Sequence, residues 1–290
     1  TQFMQYLLSK IVKPKMFPKI DFGDKGIPEE YTTMCVIPVL LKNAEDVEKM
    51  MKKLEVYYLA NIGPNLYFTL LGDCSSEKIE KKEKDELIIK KGQECVRELN
   101  KKYGNIFNFI YRKREWCSGE RCYMGWERKR GMLNQLNEFL LTGKNEFRAN
   151  TFKEIPKIKY IITLDSELVL NIAEKLVGAM AHILNQPEIN KMTNTVNKGH
   201  AIIQPRIGVN ILDERRNIFT RLFAGEGGTD LYTNAISDIY QDNFDEGIYT
   251  GKGIYDLEIF NDVLKDSIPE NTVLSHALLE GSFLRCGLSS

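Results

Sequence analysis

Five short stretches of this sequence carry residue types that could do chemistry. Asp73 follows a run of apolar residues, LYFTLLG, that reads as a strand. In open α/β sheets ligands gather beyond the carboxyl ends of the strands, so a carboxylate there can accept a hydrogen bond from a base or a hydroxyl. A turn or a cap uses the same residue. Asp165-Ser166-Glu167 ends a second such run, KYIITL. Two acids in that spacing can hold Mg²⁺ or Mn²⁺ against phosphate oxygens, although so short a pattern also arises by chance. Trp126–Asn134 (WERKRGMLN) places Arg128, Lys129 and Arg130 before a glycine and a helix. Cations there could neutralise a diphosphate leaving group. A basic helix start on the surface fits nearly as well, though it opposes the helix dipole.

Tyr249–Tyr255 (YTGKGIY) sets two glycines around Lys252, which lets backbone approach a ligand closely. The P-loop pattern GxxxxGK[ST] is absent from the sequence. In Glu270–Gly281, His276 and Glu280 stand four residues apart on one helix face and could form an acid/base pair. A helix capped by Ser275 explains the same stretch. Three histidines and no nucleophile-elbow pattern give no sign of a Ser/His/Asp set.

The elements that position these residues alternate. Strands are expected at Thr33–Leu41, Leu66–Leu71, Phe107–Tyr111 and Lys159–Leu164. Between them helices are expected at Ala44–Ala60, about Glu77–Tyr103, and Gly131–Leu141, with another after them at Leu168–Leu184. That alternation predicts a mostly parallel central sheet with helices on both faces. The second half is less regular: a strand at Ala201–Val209, helical or loop-like stretches at Asn217–Gly225 and Tyr232–Asp238, and helices at Tyr255–Leu264 and Ser275–Leu284. Residues 1–30 read as an amphipathic helix (Phe3, Leu7, Leu8, Ile11, Val12) followed by a proline-punctuated linker, and residues 31–290 as one domain. The helix suits a membrane surface, a missing domain or ordinary packing.

Composition narrows the function classes. Of the 290 residues, 43% are hydrophobic, ample for a large core. Forty basic residues balance forty acidic ones, so there is no basic footprint for nucleic acid. The six cysteines have no CxxC spacing and no histidine set for zinc, so reduced thiols are expected. No stretch reaches the roughly 20 apolar residues of a membrane helix. The chain opens at Thr1 without a leader pattern and is expected to be a soluble fragment of something longer.

Taken in order, the segments IPEEYTTMCVIPVLL, VYYLANIGPNLYFTLLGD, YMGWERKRGMLNQLNEFL, YIITLDSE, LVGAMAHILNQPEIN, IIQPRIGVN, FAGEGGTDLYTNAISDIYQDNFDEGIYTGKGIYD and PENTVLSHALLEG resemble the glycosyltransferase family 84 domain of cyclic β-1,2-glucan synthases. The likeness runs from about residue 17 to the end, and an ordered set of segments is far more specific than any one motif. It implies an α/β fold of the GT-A type, related to the processive family-2 synthases. The implied activity is inverting transfer of glucose from UDP-glucose to the 2-hydroxyl of a growing β-1,2-glucan. A divalent cation, Mg²⁺ or Mn²⁺, would assist. The implied partners are the donor, the glucan acceptor and other domains of the same polypeptide, membrane segments included. The implied place is the cytoplasmic face of a bacterial inner membrane.

Carried over by position, Asp73 would face the uracil, and Arg128, Lys129, Asn134 and Lys252 would border the donor. Asp165 would hold the cation and diphosphate. Gln204, Arg206, Tyr240, Gln241 and Asp242 would border the sugar and acceptor. Two departures stand out. The family reads S-H-D-L-L-E-G with the aspartate as general base, whereas Ala277 occupies that place here, leaving His276 or Glu280 as substitutes. The family also runs T-L-D-x-D-T-x-L where this chain has T-L-D-S-E-L. Either Glu167 replaces the second aspartate as metal ligand, or two residues are missing and Glu167 follows the motif. A cellulose- or hyaluronan-type synthase is the alternative enzyme, but its Q-x-x-R-W stretch is absent. A non-catalytic donor- or acceptor-binding module is the alternative of another class, and Ala277 favours it.

Overall fold

The computed structural model describes residues 11–12, 17–79, 82–164, 173–205, 239–265, 267–269 and 276–289. The expected alternation of strands and helices is present. Strand β1 (Thr33–Leu41) is a continuous apolar run, as a strand covered on both faces must be. Helix α1 (Ala44–Ala60) starts where the Asn43 side chain accepts the Asp46 N–H at 2.8 Å, and it buries Val47, Met50, Met51, Leu54 and Tyr57 at helical spacing. Then come β2 (Leu66–Cys74), α2 (Lys82–Tyr103) and β3 (Phe107–Tyr111). Helix α2 starts later than expected. Glu77 instead exchanges backbone hydrogen bonds with Tyr123 in a short hairpin, β4 (Glu115–Cys117) and β5 (Cys122–Met124).

Helix α3 (Arg128–Thr142) begins three residues before the expected Gly131, so its basic cluster fills the first turn. Next come β6 (Ala149–Asn150), β7 (Tyr160–Thr163) and α4 (Ala173–Ala181), the described part of the helix expected at Leu168–Leu184. A second hairpin, β8 (Glu188–Asn190) with β9 (Thr195–Lys198), precedes β10 (Ile202–Pro205). The remaining elements are α5 (Ile239–Phe244), β11 (Gly253–Asp256), α6 (Leu257–Leu264), α7 (Ala277–Leu284) and β12 (Cys286–Ser289). The expected helix at Tyr255 starts at Leu257, because Tyr255 pairs with Ile161 across β11 and β7 and Asp256 caps the helix through the Ile259 N–H. Asn217–Gly225 and Tyr232–Asp238 lie outside the described residues.

Eight strands form one sheet in the order β12-β10-β11-β7-β1-β2-β3-β6. Strands β7, β1, β2 and β3 run parallel, β10 and β12 run with them, and β11 and β6 run against them. From β1 the chain goes outward to β2 and β3 and later returns to β7 on the other side, a reversal of the kind that opens a ligand crevice at the carboxyl edge. Pro38 is tolerated inside β1 for a topological reason. Val36 turns towards β7, accepting from the Leu164 N–H, so Pro38 faces the same way, past the point where β7 ends.

Alternate residues feed two cores. Cys35, Ile37 and Leu41 of β1 pack with α1, α2 and α4 on one face. Met34 and Val36 pack with α3 and α6 on the other. The result is a three-layer, GT-A-like α/β arrangement. Residues 17–27 lie along it: Ile20 donates to the Gly178 carbonyl of α4, and Asn185 donates to the Pro18 carbonyl. Among the described residues no helix is long and apolar enough to cross a membrane.

Candidate functional site

The carboxyl ends of the parallel strands gather most of the residues singled out above. Asp73 stands at the end of β2, and Arg112 directly follows β3. Leu164, hydrogen-bonded to Val36, is the last described residue before Asp165. Gln204 lies near the end of β10, and Gly251-Lys252 lead into the antiparallel β11 from the same edge. Asp165, Glu167 and Arg206 lie outside the described residues, as does the side chain of Tyr240.

Asp73 is only 3% exposed. One carboxylate oxygen accepts the Arg112 guanidinium at 3.1 Å and the other accepts the Cys74 N–H at 2.9 Å. Burial holds its pKa above the ordinary carboxylate value, and Arg112 pulls the other way. The same guanidinium donates to Gln135 Oε1 at 2.7 Å, to the Arg128 carbonyl at 3.2 Å and to the Trp126 carbonyl at 2.6 Å. Arg112 therefore ties the ends of β2 and β3 to the turn that starts α3. That turn is strained: Glu127 and Arg128 have φ of 46° and 51° in the left-handed region. Gly131 is required beside it, because a Cβ there would lie 1.9 Å from the Trp126 carbonyl oxygen.

A second buried pair supports the same edge. Arg114 donates to both oxygens of Asp85 and to the Ser75 carbonyl, and Tyr111 also donates to Asp85 at 2.8 Å. Both charged side chains are 1% exposed, so each depends on the other for solvation.

The three cations of the basic turn divide their roles. Arg130 is buried, bridged to Glu127 at 2.6 Å and donating to the Ile268 carbonyl, a packing role. Arg128 is exposed, 4.0 Å from Glu120. Lys129 crosses to the glycine loop, where its Nζ donates to the Gly251 carbonyl at 3.0 Å. Gly251 has φ of 84°, and a Cβ placed on it would lie 3.6 Å from both Lys129 Nζ and the Ala277 Cβ. Thr163, at the end of β7, reaches the Gly251 and Gly253 carbonyls at 3.4 and 3.3 Å. Three stretches far apart in sequence, around residues 129, 251 and 277, thus converge on one spot. Lys252 and Asn134 are half-buried in the glycine loop and on α3.

Ala277 is the first residue of α7 and is half-buried. His276 precedes the helix and makes no side-chain cap; Ser275, the expected cap, lies outside the described residues. Nδ1 of His276 lies 2.8 Å from Glu280 Oε1 without hydrogen-bond alignment. Glu280 is 2% exposed, and its charge adds to the burial that pushes the pKa of the Tyr249 hydroxyl well above its usual value. The pair is therefore close, as the four-residue spacing requires, but its carboxylate is turned into the protein.

On the acceptor side, Gln204 Oε1 accepts the Thr250 N–H and hydroxyl at 2.7 and 2.9 Å, fixing the start of the glycine loop. Gln241 exchanges hydrogen bonds with the Leu288 backbone, extending the edge of β12, and Asp242 is buried beside it in α5. Gln204 and Leu288 are register partners, so these residues are neighbours. Among the described residues no three His, Cys, Asp or Glu side chains converge to hold a metal ion. The network around Arg112 was not singled out in the sequence. Its one signal there is position, since Arg112 follows its strand much as Asp73 ends β2.

No family model matches the sequence. Over 284 residues the chain is 36% identical to the cyclic beta-(1,2)-glucan synthase NdvB of Rhizobium meliloti (strain 1021). The match covers 95% of this chain and 10% of that protein, so the chain spans about a tenth of its relative's length.

Proposed function

We propose that this chain, a relative of one segment of a cyclic β-(1,2)-glucan synthase, is a glucosyltransferase domain that takes glucose from UDP-glucose and passes it to the 2-hydroxyl of a β-1,2-glucan. The single observation that supports this most is the convergence of Lys129, Gly251 and Ala277 at the carboxyl edge of the sheet. A diphosphate bound there meets a cation and close-approaching backbone, which suits charge building up on a leaving group. Lys129 would bind the diphosphate, exchanging the Gly251 carbonyl for a phosphate oxygen. The Asp73–Arg112 network would hold the turn that carries Lys129. Asp165 would hold an Mg²⁺ or Mn²⁺ ion, which would supply further charge neutralisation for the diphosphate.

Ala277 supports a second reading, a module that binds donor or acceptor without turnover, because a methyl group takes no proton from the attacking hydroxyl. Membrane association would then come from the rest of the longer polypeptide.

The donor reading makes Asp165→Ala informative. UDP affinity is expected to fall at least about tenfold in that variant, roughly 1.4 kcal/mol, as the cation and diphosphate lose a charged ligand. Titration calorimetry with Mn²⁺ and with a chelator reads this directly. An affinity for UDP that is the same in both proteins and both conditions would remove Asp165 from the site.

A further inference from the structure

The β4–β5 hairpin carries a feature that does not depend on the donor reading. Cys117 and Cys122 are direct cross-strand partners at the mouth of the turn formed by residues 118–121. Tyr123 turns both its N–H and its carbonyl to Glu77. Cys122, the residue before it, therefore turns its own towards β4, which makes the Cys117–Cys122 pair the hydrogen-bonded kind with Cα atoms about 5.5 Å apart. A disulfide needs roughly 4.4–6.8 Å. Directly opposed residues project from the same face of a hairpin. Their Cβ atoms lie towards the wide end of the roughly 4.5–5.5 Å range of opposed pairs, since non-hydrogen-bonded pairs are the closer kind, against roughly 3.5–4.5 Å in a disulfide. Closure thus draws the strand ends together by about 1–2 Å, and the exposed turn, with Gly119 in it, is the part that yields.

The same two thiols are the ones within reach of solvent. Both are half-buried, whereas Cys35, Cys74, Cys95 and Cys286 are 3%, 2%, 8% and 0% exposed. Burial pushes the thiols of Cys35 and Cys74 up to about 12, which keeps them protonated and unreactive.

We propose that Cys117 and Cys122 are a dithiol that closes to a disulfide across the hairpin when the protein meets a low-molecular-weight disulfide. One thiolate attacks a sulfur of the oxidant, whose S–S bond breaks to leave a mixed disulfide and one free thiol. The second thiolate then displaces the remaining thiol. The protein gives up two electrons and two protons, and the oxidant is reduced to two thiols. The crosslink fixes the far end of a hairpin whose inner end is already held, since Arg114 donates to the Tyr123 carbonyl and β5 leads through Gly125 into the turn clasped by Arg112.

The test is incubation of the full chain with glutathione disulfide, alkylation without reduction, tryptic digestion and mass spectrometry. Cleavage after Arg121, inside the loop, is expected to leave two peptides joined through Cys117 and Cys122, lighter by two hydrogen atoms and separated by dithiothreitol. Cys117→Ser is expected to carry glutathione on Cys122 instead. Wild-type protein with glutathione on both cysteines, with both left alkylated, or with either one joined to a third cysteine would overturn the proposal.

Discussion

Replacing Ala277 with aspartate is expected to raise the single-turnover rate of glucosyl transfer to a β-1,2-glucan by about 10² to 10⁴, the usual contribution of a placed general base. The position is suited to the role. Residue 277 opens α7, half-buried beside Gly251 and Lys129, the spot where the proposed function brings leaving group and acceptor together. The helix N-terminus favours the ionised form, which is the form that accepts the proton. UDP-glucose affinity is expected to stay the same, because the new group acts on the attacking hydroxyl rather than on the diphosphate. That is the signature of an interaction made in the transition state. Equal transfer rates with and without the aspartate would take position 277 out of the mechanism. Glu280 would then need to turn out of the interior to act. Donor binding by both proteins with transfer by neither would establish the binding-module reading.

Arg112→Ala is expected to destabilise the fold by about 3–5 kcal/mol, since it leaves the Asp73 carboxylate buried without its partner. In a domain of this size each kcal/mol is worth a few degrees, so a fall in melting temperature of roughly 10 °C is expected by calorimetry. Arg112→Lys keeps a charge near Asp73 but cannot reach Gln135 and the Trp126 and Arg128 carbonyls together, because it lacks the planar fork. It is expected to fall between. Double replacement with Asp73→Asn is expected to recover part of the loss, as the stranded charge is gone. A melting temperature unchanged in Arg112→Ala would show that the guanidinium does not hold these segments together.

The parts of the fold legible in the sequence are those where local chemistry and burial agree. Strand β1 and helix α1 have the bounds read from the sequence, because a continuous apolar run leads into Asn43, a cap, and then into helical apolar spacing. Strand β3 is equally plain, five residues buried throughout. The hairpins β4–β5 and β8–β9 were not legible. Their strands are short and have few buried residues, so they lack the alternation that marks a half-buried strand. The sequence around Tyr255 has helical apolar spacing, and only antiparallel pairing with β7 makes it a strand residue. In the site, the place of Asp73 at a strand end and the glycine loop were legible from the sequence pattern, whereas Asp165 lies outside the described residues. Which cation reaches the glycine loop was not legible. Arg128, Lys129 and Arg130 are adjacent in sequence, and the left-handed turn at Glu127 and Arg128 decides that Lys129 points to Gly251 while Arg130 is buried.

Titration of the chain with UDP-glucose, with Mn²⁺ and then with a chelator, decides whether the carboxyl edge of this sheet is a sugar-nucleotide site. Saturable binding that UDP displaces and that the chelator weakens is expected. Absence of binding for both UDP-glucose and UDP, with or without the cation, would contradict it.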